Sequence, residues 1–158
     1  MIALSFETGT RETSTLPLTD PVGGVSLVDP QGVVVTLTLR WPDDPAVVRP
    51  RGVLLATQAM VESTLLTEAG TFKPDNDPET AGRQLEQQQL AITNYAVALV
   101  CGWSVAQAFD GEGLRSLIGR APFVRDLIVA ASGEADRFLP GSLRPSRSAS
   151  DAPSEAVA

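Results

Sequence analysis

Apolar residues recur along this chain with two different periods. Ile2-Ala3-Leu4-Ser5-Phe6 alternates weakly and predicts at most one edge strand. Thr8 to Gly24, interrupted by Pro17, Pro21 and the Gly23-Gly24 pair, reads as irregular, so residues 1–24 are expected to form an N-terminal lead. Two β-branched runs follow, Val25–Val28 and Val33–Leu39, separated by Asp29-Pro30-Gln31-Gly32. Proline at the second turn position and glycine at the fourth fit a type I turn, which predicts a β-hairpin. In the second run Val33, Val35, Leu37 and Leu39 share one face and are expected to face the core.

Two prolines in four residues, Pro42 and Pro45, end that period. From about Ala46 onward Val53, Leu54, Met60, Val61 and Leu65 fall at helical spacing, with Gly70 as the expected stop. Asp77 and Pro78 supply an N-cap and a first helical residue for a long helix running to about Trp103. Its stripe is Leu85, Gln88, Ile92, Tyr95, Ala96, Leu99 and Trp103. Asp110-Gly111-Glu112-Gly113 reads as a turn, and Leu114, Leu117 and Ile118 as a short helix closed by Gly119. Pro122 opens a last helix carrying Val124, Leu127, Ile128, Ala131 and Ala135, which Phe138 and Leu139 finish. Beyond Leu143 too few large apolar residues remain to offset the entropy of ordering, so 144–158 is expected to be a disordered tail. These elements predict an α+β fold in a single domain over 25–143, with a small N-terminal antiparallel β-hairpin sheet packed on a bundle of three to four helices.

Composition narrows the chemistry. Hydrophobic residues make up 43 % of the 158, but only 5 % are aromatic, so the core must be aliphatic. The net charge of −7 opposes the counterion release that drives phosphate-backbone binding, and no nucleic-acid partner is expected. No run approaches the ~20 apolar residues of a membrane span. The N-terminus also lacks the basic and apolar regions of a secretory signal, so a reducing cytoplasm is expected. The chain has no histidine and one cysteine, Cys101, which excludes a Cys/His zinc site and an internal disulfide. No catalytic residues, cofactor or metal are expected.

The remaining polar groups have ordinary structural readings. Asp43-Asp44 suits a turn or helix cap better than paired catalysis, because adjacent side chains diverge. Asp75 and Asp77 begin a calcium-loop pattern that does not continue. The two glycines after Asp110 match no phosphate-binding fingerprint. Cys101 has no histidine to activate it, and Lys73, the only lysine, lies in no Ser–Lys motif. Trp41 and Trp103 read first as core and second as interface anchors. For partner binding the candidates are Gln84, Gln87 and Gln88, taken as outward positions of the long helix, with Trp103 and Phe123 as apolar anchors.

The linear order of these pieces resembles a known family. A D-P-x-G hairpin turn (Asp29–Gly32) is followed by Pro42-Asp43-Asp44-Pro45-Ala46 leading into a helix. A long helix then ends in Gly102-Trp103, Asp110-Gly111-Glu112 precedes a leucine helix (Leu114 to Gly119), and a P-F-V-x-D-L-I helix starts at Pro122. Over roughly 25–143 this order is similar to the tail assembly chaperones of siphophages and related prophages. The resemblance implies a non-catalytic protein of the host cytoplasm. It would bind the tape-measure and tail-tube proteins during tail morphogenesis and be absent from the mature virion. A structural virion protein, such as a neck, tail-completion or minor tail subunit, is the alternative, and self-association is left open.

Overall fold

The structure, a computed structural model, describes residues 13–138. The expected strand at Ile2–Phe6 and the expected tail from 144 lie outside the described residues. Among the described residues the fold is α+β. A three-stranded antiparallel sheet in the order β1 (Ser14–Pro17), β2 (Thr36–Leu39) and β3 (Val100–Trp103) packs against four helices. These are α1 (Pro45–Leu65), α2 (Pro78–Leu99), α3 (Gly111–Arg120) and α4 (Phe123–Ser132), with a 3-10 turn at Ala135–Phe138.

The Asp29–Gly32 turn forms as its residues require. The Gly32 amide donates to the Asp29 carbonyl at 2.9 Å, and the Asp29 carboxylate accepts from the Gln31 and Val33 amides, both at 2.9 Å. Gly32 sits at φ +81°, where a side chain would be strained. The hairpin above it is shorter than the β-branched runs predict. Val28 pairs with Val34 as a single bridge, and the Val35 amide reaches the Leu27 carbonyl at 2.8 Å. The four-residue run 25–28 then turns back through Gly24 (φ +63°) and cannot follow 36–39. Their partner is β1, in register Ser14↔Leu39, Thr15↔Thr38, Leu16↔Leu37 and Pro17↔Thr36. The sheet's edge strand therefore comes from the stretch expected to be irregular. Pro17 is tolerated there because an edge position needs no second ladder bond.

The alternation along the second run holds where the sheet is paired. Val35, Leu37 and Leu39 are buried with Leu16 and Leu18, whereas Val33, beside the turn, is exposed. Each fully buried leucine contributes about 1.5–3 kcal/mol relative to an exposed one.

Asp44 caps α1 by accepting from the Ala46 amide, and Pro45 follows it. Val47, Leu54, Val61 and Leu65 form the buried stripe of α1. The helix stops at Leu65, five residues before the expected Gly70, because the Lys73 amide and the Asn76 side chain take the Leu65 carbonyl at 2.9 and 2.8 Å. Gly70, at φ +76°, serves instead in the tight connection bridged by Leu66 and Phe72.

Asp77 caps α2 as expected, but α2 ends at Leu99 and not at Trp103. Arg40 explains the change: its amide donates to the Leu99 carbonyl at 2.6 Å and its guanidinium to the Ala98 carbonyl at 3.0 Å. With those terminal acceptors satisfied, Val100–Trp103 leaves extended and pairs with β2 as Leu37↔Trp103, Thr38↔Gly102 and Leu39↔Val100. Cys101 is the extra residue of a bulge in that pairing.

The acidic glycine turn is likewise absorbed into a helix. Asp110 is the N-cap of α3, accepting from the Gly113 amide at 2.8 Å, so Gly111 to Gly113 form the first helical turn. Gly119 lies inside α3, which ends at Arg120. The last helix breaks after Ser132, and Ala135 belongs to the 3-10 turn that buries Phe138.

Candidate interaction surface

α1 and α2 pack as an antiparallel helical hairpin, each about 30 Å long at 1.5 Å per residue. α3 and α4 flank α2, tied to it by polar contacts. Arg115 donates to Asn94 Oδ1 at 2.6 Å, Arg125 to Gln89 Oε1 at 2.6 Å, and the Tyr95 and Ser132 hydroxyls lie 3.3 Å apart. The main core runs from the sheet through Val47, Leu54, Tyr95 and Leu99 to α3 and α4, and Val61 and Leu65 are buried outside it, toward the hairpin tip.

The structure separates the five candidate partner residues. Of the three glutamines only Gln87 is exposed. Gln84 and Gln88 are half-buried, on the helical side that carries Ala91 and Tyr95, so the expectation that they point outward is corrected. Gln84 Oε1 is buried with no hydrogen-bond partner among the described residues. Trp103 is half-buried against the core, with its indole N–H on the Gln107 carbonyl at 2.7 Å. Its ring meets Phe109 edge-on at 5.2 Å. Phe123 also packs, half-buried, against the core. Both aromatics pack on the core, and of the five candidates only Gln87 is exposed.

Sequence periodicity missed the apolar surface of α1. Val48, Val53, Leu55 and Met60 are all exposed, and with Leu54 and Val61 they make the helix apolar around much of its circumference. Val53 and Met60 lie on one flank of the buried stripe, and Val48 and Leu55 on the other. The absence of charge between Gly52 and Val61 was the available signal, and a stripe reading discards it. Leu90 on α2 and Phe72 at the tip are exposed as well.

On the Val53 flank α1, α2 and α3 enclose a groove of about 410 Å³. Pro50 and Val53 form one wall, Asn94, Val97 and Ala98 the floor, and Arg49 and Arg115 supply the charge. A second recess of about 330 Å³ lies where Trp41, Tyr95 and Ser132 meet the Asp43–Arg51 ion pair, whose N–O distance is 2.7 Å.

The other polar residues singled out in the sequence hold local structure. Cys101 Sγ lies against the Thr38 carbonyl at 3.5 Å, and Lys73 Nζ donates to the Ser63 carbonyl at 2.8 Å. Asp77 accepts from the Thr80 hydroxyl at 2.7 Å and the Thr80 amide at 3.0 Å, which together hold its carboxyl below the ordinary 3.8. Among the described residues no three His, Cys, Asp or Glu side chains gather as a metal site, and no helix is long and apolar enough to cross a membrane. A scan of protein-family models and searches of curated proteins and of solved structures return no match to this chain.

Proposed function

We propose that the chain is a non-catalytic tail assembly chaperone of a long-tailed bacteriophage. In this reading it binds the tape-measure and tail-tube proteins in the host cytoplasm, keeps them soluble, and leaves before the virion is complete. The order of motifs over 25–143 supports the reading from the sequence side. The observation that carries it is the surface of α1. A helix apolar on its outer flanks is normally covered, and four large apolar side chains on one exposed helix favour a surface that meets another protein. A tape-measure protein is a long helical chain whose apolar stripe needs such cover, and a partner of net charge −7 would help keep the complex soluble.

Co-expression with the tape-measure and tube proteins encoded beside it tests the proposal. Retention of either on the tagged chain is the expected result, and retention of neither ends the reading. Mass spectrometry of purified virions separates the alternative. A chaperone is absent from them, whereas detection at stoichiometric level makes the chain a structural subunit.

A further inference from the structure

We propose that the groove between α1, α2 and α3 seats an amphipathic helix of a partner protein that carries carboxylates beside its apolar face. The inference concerns the chemistry of the occupant and is independent of the phage setting.

Exposed apolar side chains continue from the groove toward the hairpin tip. Met60 lies seven residues beyond Val53 on the α1 wall. Leu90 lies seven residues before Val97 on α2, and Gln87 seven before Asn94. Because α1 and α2 are antiparallel, these extensions run the same way, each adding about 10 Å. Heptad spacing on both faces of a groove is what a third helix reads when it lays an i, i+3, i+7 stripe between two others.

Charge selects the edge of that helix. The chain as a whole is acidic, yet both charged residues lining the groove are arginines. Arg49 makes no ion pair among the described residues. Arg115 is held in place by Asn94, and its only ion pair among the described residues is with Glu112 at 3.5 Å, whose side chain is 89 % exposed and therefore screens it weakly. A guanidinium held by Asn94 and a second without an ion pair among the described residues, beside Val97 and Ala98, suit carboxylates on an incoming helix. The same charges argue against a second copy of this chain, since a two-fold contact through the groove would bring four arginines together.

The test uses a fluorescein-labelled three-heptad peptide with leucine at its core positions and glutamate at the flanking ones, beside the same peptide with lysine for glutamate. Fluorescence anisotropy against the full chain is expected to show saturable binding of the glutamate peptide and at least ~10-fold weaker binding of the lysine peptide. Val53→Asp and Arg49→Glu are each expected to weaken the glutamate peptide by ~10-fold or more, whereas Val22→Asp, exposed and outside α1, α2 and α3, leaves it unchanged. Met60→Asp gives the second reading should Val53→Asp fail to fold by circular dichroism. The proposal is overturned by no saturable binding up to about 1 mM, by equal binding of the two peptides, or by wild-type affinity in the folded groove variants. A wild-type dimer in sedimentation that a groove variant dissociates also overturns it, by making a second copy the occupant.

Discussion

At Gly113 two neighbouring side chains leave no room for a third. A Cβ there would stand 2.9 Å from Trp103 Cη2 and 3.0 Å from the Asp110 carboxylate, so one substitution would press on both the indole and the α3 cap. Gly119, six residues on in the same helix, faces open space. Gly113→Ala is therefore expected to destabilise by about 1–3 kcal/mol, and Gly119→Ala to stabilise by about 0.5–1 kcal/mol, in urea denaturation. Asp77 offers a pH test at the same scale. The Thr80 hydroxyl and amide stabilise its carboxylate, so its folded pKa lies below the unfolded one. The unfolded chain then binds more protons, and the contribution of Asp77 is present above about pH 4 and is lost as pH falls through the folded value. Asp77→Asn keeps a capping side chain without a titrating group. It is expected to flatten that part of the acid decline, and an unchanged pH profile would count against the cap as its source.

Adjacent residues of α1 divide structure from surface. Leu54 is 7 % exposed in the core and Leu55 is 57 % exposed. Leu54→Ala is expected to cost about 2–5 kcal/mol and Leu55→Ala to stay within about 0.5 kcal/mol, as read by chemical denaturation. Gln84 on α2 gives a further check. Its carbonyl oxygen, buried and without a partner among the described residues, costs stability, so Gln84→Leu is expected to stabilise by about 1 kcal/mol. The elements whose signals are local were legible in the sequence. The Asp29–Gly32 turn, the Asp44 and Asp77 caps and the core face Val35, Leu37 and Leu39 each rest on neighbours within four residues. What was not legible depends on distant partners. Val100–Trp103 continues the periodicity of α2, and only Arg40, some sixty residues away, ends that helix and frees a strand for β2. β1 is a strand because 36–39 outruns its hairpin partner, which no property of Ser14–Pro17 announces. Of the five candidate partner residues only Gln87 is exposed: Gln88 already fell on the apolar stripe of α2, and Gln84 lies one turn before it on the same side.

Over the described residues the molecule is anchored at one end and open along the other. The sheet, α3, α4 and the lower halves of α1 and α2 share one largely aliphatic core, while the upper hairpin, among the described residues, buries only Val61 and Leu65 outside it and displays Met60, Phe72 and Leu90. A hairpin held at its base can offer its length to another helix without disturbing that core. The most direct test is hydrogen–deuterium exchange of the chain alone and in complex with the co-expressed tape-measure protein. The account predicts slowed amide exchange over residues 49–60 and 87–98, with little change in the sheet. Slowing confined to other segments, or no complex from which to record it, would contradict the account.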